Sequence, residues 1–378
     1  MIINRESSPH IRRKASVMRM MIDVLIALAP TLIFAFVVYP LNTLATYLIS
    51  VFVMLASEFV FVGLKNMMPK DGLKHSFRER FAYSYKGKYT INNILTPAIS
   101  AVIFTLLMPA MPLDTPITYV IIALGALVGI VLGKLVFGGL GSNIFNPAAV
   151  GFVFVKICFN TYLNRYVPTW YYMVPDAMAG ATPLNVLGDG AMANIGQYQL
   201  LDLFLGRVPG TLGEVYKVTI LAGLIYLMVR RSADFRIVVS FLGTFIVLML
   251  LAGLGIYSLN SAINPFYYTL YHLLSGGVLF GVTFMLTDPV TSPINGPSRL
   301  LYGMIAAVLT VLIRLFAALP EGMAFSILLA NMIAVVLDHY EWSNPRYTWK
   351  KFLAMGLIVA ISGTVVFLVI RFGGVYHA

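Results

Sequence analysis

Residues 20–39 read MMIDVLIALAPTLIFAFVVY and residues 41–64 read LNTLATYLISVFVMLASEFVFVGL. Each run is apolar over about the 20 residues that a helix needs to cross a ~30 Å hydrocarbon core. Arg12, Arg13, Lys14 and Arg19 precede the first run, which is too long and too uninterrupted for a cleavable signal peptide. Similar runs recur along the chain, at roughly 94–111, 117–137, 147–160, 215–231, 236–254, 269–287, 300–318, 321–337 and 352–371. Hydrophobic residues make up 59% of the 378 positions and charged ones 11%, too little charge to cover a soluble surface of this size. The expectation is an all-α polytopic membrane protein with no sizeable soluble domain.

The net charge of +11 does not signal nucleic acid, because the basic residues sit in short loops between apolar runs. With the N-terminus inside, the segments 1–19, 65–91, 230–236, 288–299 and 338–351 hold most of the Lys and Arg. The opposite side keeps Arg165, Arg207, Lys217 and Arg371. That asymmetry predicts a cytoplasmic N-terminus. Cys158 stands alone and the five histidines are scattered, so no metal or cluster site is expected from this chain by itself.

Two stretches interrupt the spans. Residues 138–151, GGLGSNIFNPAAVG, are too rich in glycine and asparagine for a lipid-facing helix. Asn146 before Pro147 reads as an N-cap and first helical position. Irregular backbone at membrane depth needs protein or a cavity to cover it, and transport proteins build midplane sites from such helix ends. A close helix crossing through small residues is the plainer reading of the same stretch. Thr287-Asp288-Pro289…Ser292-Pro293 breaks the latter half, where 321–338 is the counterpart of 138–156. The expected architecture is ten transmembrane helices in two inverted five-helix halves with broken helices, plus an eleventh at the C-terminus. Its parts are an N-terminal segment (1–19), a first membrane half (20–160) and an outer loop (161–214). A second half (215–337) and a cytoplasmic linker with the extra helix (338–378) complete the chain.

The outer loop carries Trp170, Tyr171 and Tyr172, then Ala179-Gly180-Ala181-Thr182-Pro183-Leu184. Small residues before Thr182 leave its hydroxyl open, and Pro183 stiffens the backbone after it. Farther on, Thr211 and Glu214 have the spacing of a capping box, which predicts a helix start. Such a start beside Arg207 suits a phosphate. Within the spans, Asp23, Glu58, Lys134, Lys156 and Arg314 are ionisable and therefore functional candidates. Arg19 and Asp23, four residues apart, also have the spacing of a simple pair.

The stretch Ala179–Leu184 resembles the flavinylation motif shared by the D subunit of the Rnf electron-transport complex and the B subunit of the sodium-translocating NADH:quinone oxidoreductase. Ser8-Pro9-His10, the Gly138–Gly151 run, Pro209-Gly210…Gly213-Glu214 and Thr287-Asp288-Pro289 match the same family in order. Ala179 stands where the family usually has serine or aspartate, and the run at 352–371 exceeds its ten-span pattern. The resemblance implies FMN joined through its phosphate to Thr182 by a flavin transferase. It makes Gly180, Ala181, Pro183, Arg207, Thr211, Glu214 and Asp288 candidate cofactor-binding residues, with no catalytic residue of the chain's own. Noncovalent riboflavin is implied by the quinone-reducing relative. The short segment before the first span favours the Rnf D subunit over the B subunit.

The expected role is an electron-carrying subunit of a ferredoxin:NAD⁺ oxidoreductase coupled to Na⁺ or H⁺ movement. It would sit in a bacterial or archaeal cell membrane among the other subunits of that complex, including a second flavin-bearing subunit. The chain has no dinucleotide fingerprint and so no expected NAD site of its own. A small-solute channel or transporter is the competing reading, since broken helices suit it equally.

Overall fold

The structure, a computed structural model, describes residues 17–66, 77–86, 88–163, 182–184, 198–259, 263–317, 322–339, 342 and 344–372. The N-terminal basic cluster, His10, Trp170, Tyr171, Tyr172, Gly180 and Ala181 lie outside the described residues. Helices dominate what is described, and the only β-type pairing there is an isolated bridge between Pro109 and Thr211. In chain order they are α1 (Val17–Val38), α2 (Pro40–Lys65), α3 (Phe77–Tyr85), α4 (Asn92–Leu107) and α5 (Pro116–Ile130). A π-helical turn, Val131–Leu135, extends α5; then come α6 (Pro147–Cys158), α7 (Asn160–Leu163), α8 (Leu200–Leu205), α9 (Lys217–Arg230) and α10 (Phe235–Tyr257). The last five are α11 (Pro265–Leu274), α12 (Val278–Gly281, with its own π turn Val282–Leu286), α13 (Gly296–Phe316), α14 (Met323–Leu337) and α15 (Trp349–Phe372).

All eleven expected spans contain a helix, but they are not all of spanning length. Six elements are long and apolar enough to cross a membrane: α1, α2, α5 with its π turn, α10, α13 and α15. A seventh arises if α11 and α12, bent by 57° at Ser275–Gly277, count as one broken span. The helices α4, α6 and α14, at 16, 12 and 15 residues, are apolar but short. Ten full spans are therefore not what length alone supports among the described residues.

The glycine-rich break forms as expected, and its cause is local. The Asn146 side chain accepts from the backbone N–H groups of Ala148 and Ala149 at 3.0 and 3.3 Å, starting α6. Before it, Gly138, Gly139 and Gly141 take positive φ values that side chains with a Cβ avoid. The close crossing occurs too. Gly125 and Gly129 of α5 and Gly133 of its π turn, one turn apart, face Val155, Gly151 and Pro147 of α6. A Cβ on Gly129 would lie 2.7 Å from the Pro147 carbonyl oxygen, so small residues set the approach of the two helices.

Pairing between α1 and α9 defines the two ends of the bundle. Asp23 accepts from Arg230 Nε at 3.1 Å, whereas Thr31 bonds Thr219 at 3.1 Å, so the helices run antiparallel. Lys65 and Arg230 thus lie at one end, and Lys217 begins α9 at the other. The short helices α6 and α14 touch inside the bundle. Asn331 meets the Tyr302 hydroxyl at 2.8 Å and, with its amide oxygen turned toward α6, accepts from the Asn146 backbone N–H at 3.1 Å.

Candidate functional site

Thr182 sits at the end of the bundle opposite Arg230, against the break between α11 and α12. It lines a small space together with Pro183, Leu184, Glu214, Lys217 and Gly276. The sequence predicts an open hydroxyl, but Thr182 is only 3% exposed. Its neighbours explain the burial. Tyr271 donates to the Pro183 carbonyl at 3.4 Å, and Leu184 fills a notch over Gly276, where a Cβ would lie 2.5 Å from Leu184 Cδ1. Gly276 has φ +60°, which glycine accepts at no steric cost.

A broken helix leaves carbonyls without intrahelical donors, and in a dry interior they need partners. Two buried cations supply them. Lys217 Nζ donates to the carbonyls of Gly276, at 2.7 Å, and Glu214. Arg314 donates to the carbonyls of His272 at 2.6 Å and Ser275 at 3.4 Å. Cations at the C-terminal end of α11 also suit its dipole.

The predicted capping box forms by half. The Thr211 backbone N–H donates to Glu214 at 3.2 Å, but Thr211 Oγ1 is buried without a partner among the described residues, and α9 starts only at Lys217. The backbone of the turn is engaged elsewhere: Leu212 and Gly213 donate to the carbonyls of Met108 and Leu106 at the end of α4. Arg207 is exposed after α8, with its backbone N–H on the Asp202 carbonyl, and is not part of the wall around Thr182. Glu214 and Pro183 are therefore gathered beside Thr182, and Thr211 is joined to that wall only through its bond to Glu214. Asp288 is not.

Asp288 instead caps the turn after the second π turn, accepting from Val290 N–H at 3.2 Å and Thr291 Oγ1 at 3.3 Å. Burial raises its carboxyl above the usual range, against those two bonds. It also edges a cavity of about 300 Å³ to which α1, α4, α9, the glycine-rich break and the second π turn all contribute. Asn143, Asn146, Lys134 and Thr287 supply polar edges to a mostly apolar wall. Both sequence-predicted breaks therefore border one cavity.

Among the other intramembrane candidates, Lys134, Glu58 and Asp23 are paired. Lys134 meets Glu58 at 2.8 Å and Thr96 Oγ1 at 2.7 Å, and Asn93 donates to the other Glu58 oxygen at 3.2 Å. Asp23 is held from α9 and the turn after it, by Tyr226, Arg230 and Ser232, the last at 2.7 Å. Among the described residues no group of His, Cys, Asp and Glu is arranged to hold a metal ion. Lys217 and Arg314 were the residues that sequence reasoning did not connect to Thr182. Asn264-Pro265 is a signal of the same kind in the sequence: it repeats Asn146-Pro147, and Asn264 caps α11 through Phe266 and Tyr267 N–H.

The architecture defines a multi-pass helical membrane protein built around irregular breaks that meet inside the bundle. The chain belongs to the NQR2, RnfD, RnfE family, whose profile matches residues 4–77 and 79–346. The helix α15 lies beyond that range. The chain is 31% identical over 337 residues to the D subunit of the Na(+)-translocating ferredoxin:NAD(+) oxidoreductase complex of Acetobacterium woodii, covering 88% of this chain and 92% of that one. It is 36% identical over 245 residues to the B subunit of the Na(+)-translocating NADH-quinone reductase of Chromohalobacter salexigens, covering 64% of this chain and 57% of that one. The B subunit of Pseudomonas aeruginosa strain LESB58 is 37% identical over 246 residues, with 64% and 58% covered. The chain thus spans less than two thirds of the length of these B subunits.

Proposed function

We propose that the chain carries electrons as a membrane flavoprotein subunit of an Rnf-type ferredoxin:NAD⁺ oxidoreductase coupled to Na⁺ or H⁺ movement, with FMN attached to Thr182. Two observations support the Rnf-type assignment over the B-type alternative: similarity to the D subunit runs nearly end to end, and similarity to B subunits covers less of both chains. The observation that carries the flavin reading is the Gly180–Leu184 motif, with its threonine buried beside Lys217.

In the attachment step the Thr182 Oγ–H bond is replaced by an Oγ–P bond, and the proton leaves with the group displaced from the flavin donor by a flavin transferase. Bound FMN supplies one- and two-electron chemistry. Of the described residues lining the space beside Thr182, Lys217 is a cation that suits a phosphate, with the acid Glu214 on the same wall. The space itself, about 10 Å³, is that of a single water. Attachment therefore requires Thr182 to leave its seat.

The proposed orientation puts the basic end in the cytoplasm and Thr182 on the outer face of the cell membrane. The positive-inside asymmetry and the antiparallel α1–α9 pair support it. The 300 Å³ cavity offers room for a noncovalent second flavin, riboflavin, at the other end. Partners are the remaining subunits of the complex, one of them flavin-bearing. The cavity and breaks also suit a solute channel, which has no use for a flavin on Thr182. On a denaturing gel, the chain from a host with an active flavin transferase is expected to fluoresce, and Thr182→Ala to abolish the signal. A dark wild-type band would overturn the flavoprotein reading.

A further inference from the structure

We propose that the cavity at the basic end of the bundle, between the α9–α10 turn and the start of α13, binds the phosphate of an anionic phospholipid. This site is separate from Thr182 and does not depend on a flavin there.

The cavity measures about 620 Å³, room enough for a headgroup. Met20 of α1, the turn between α9 and α10, the break after the second π turn and Arg299 of α13 all contribute to it. Three arginines line it, Arg231, Arg236 and Arg299, and Asp234 is the one acid among the described lining residues. Asp234 is shared: it caps α10 through the Arg236 N–H, pairs with Arg299, and lies 3.9 Å from Arg236 Nη1. Two further acids stand on the contributing elements but are engaged there. Asp23 accepts from Arg230 and Ser232, and Asp288 accepts from the Val290 N–H and the Thr291 hydroxyl. On the wall itself, one carboxylate stands against three guanidinium groups.

Two of these arginines stand at the end of a helix that disfavours cations. Arg236 is the second residue of α10 and Arg299 the fourth of α13, near the positive ends of both dipoles. Gly296 lets them come together: a Cβ there would lie 2.8 Å from Arg236 Nη1. The positive-inside preference explains arginines at this end, but not their convergence on one cavity from two helix starts and a turn. An anion between them accounts for both, and guanidinium groups suit phosphate oxygens in particular. The rim points to a lipid rather than free phosphate. Phe235 lines the cavity and is 55% exposed, and Val239 and Ile246, four and eleven residues on, are exposed along the same face of α10. An acyl chain can run down that apolar stripe from a phosphate held by the arginines. Basic pockets between transmembrane helices on the cytoplasmic side take such headgroups, and the proposed orientation puts this cavity there.

The test follows the melting temperature of the full-length chain, washed free of lipid in a neutral detergent. Dioleoyl phosphatidylglycerol, dioleoyl phosphatidylcholine or inorganic phosphate is then added in increasing amounts. Phosphatidylglycerol is expected to raise the melting temperature to a plateau, and the other two to leave it near its starting value. Arg231→Gln with Arg236→Gln should move half-saturation upward by about fivefold for each arginine, while Arg231→Lys with Arg236→Lys stays close to wild type. Arg346→Gln with Lys350→Gln removes two exposed cations outside the cavity and should change nothing. If the double glutamine variant does not fold, Arg231→Gln alone, in an exposed turn, supplies the comparison. No response to phosphatidylglycerol, or an equal one to phosphatidylcholine, overturns the proposal. An unchanged half-saturation in the glutamine variant overturns it too, as does an equal shift in the Arg346 and Lys350 control, which would mark diffuse charge. A full response to phosphate alone overturns the assignment to lipid.

Discussion

Lys134 and Glu58 meet at 2.8 Å with side chains 3% and 1% exposed, tying the π turn after α5 to the interior of α2. Neither partner tolerates loss of the other, because a lone buried charge keeps its desolvation cost without the compensating attraction. Thr96 and Asn93 complete the group, so the ionised pair is hydrogen-bonded as well as matched in charge. Glu58→Gln is expected to destabilise the chain by roughly 3–5 kcal/mol, in the range for broken buried pairs. Glu58→Gln with Lys134→Met should recover most of the loss. Thermal unfolding in detergent measures both, and additive losses in the double variant would refute the pairing as the cause.

The contact between α5 and α6 makes a sharper demand on a single atom. Gly129→Ala places a methyl 2.7 Å from the Pro147 carbonyl oxygen and 3.1 Å from Gly151 Cα, both backbone, so neither can rotate away. Overpacking of this kind costs about 1–3 kcal/mol. Gly243, in α10, is the control: nothing lies within 4 Å of its added Cβ, and alanine there gains helix propensity worth up to ~1 kcal/mol. Gly129→Ala should lower the melting temperature and Gly243→Ala should leave or raise it. Since Asn146 and Pro147 edge the 300 Å³ cavity, Gly129→Ala should also weaken whatever that cavity holds.

What the sequence disclosed was whatever physics is local. Apolar length marks the helices, and Asn146-Pro147 marks a cap because the side chain bonds two and three residues onward. Thr211-x-x-Glu214 is the instructive half-failure. Its backbone-to-carboxylate bond forms, but Leu212 and Gly213 are drawn to α4, more than a hundred residues earlier, and the helix start moves to Lys217. Arg19 and Asp23 have the spacing of a pair, yet Asp23 accepts from Tyr226, Arg230 and Ser232, which only the α1–α9 crossing brings near. The same limit hid the wall around Thr182. Lys217 and Arg314 reach it through contacts spanning 39 to 59 positions, and no spacing rule encodes those.

Asp288 gives the pH dependence that separates a cap from a charge. Burial raises its folded carboxyl above the ordinary value, so the folded chain holds that proton over a pH range where the unfolded chain has released it. Its effect on stability is therefore most favourable below the unfolded value, falls as pH rises through the raised one, and stays flat above. Asp288→Asn keeps an oxygen for the Val290 N–H and turns an amide N–H toward the Thr291 hydroxyl, but has no proton to lose. Relative to wild type, the variant should gain stability as pH rises across that window, reaching its largest advantage near neutrality. Melting temperatures of both chains across acidic to neutral pH measure the difference. A constant gap between the curves would mean that Asp288 is charged at no cost in the fold.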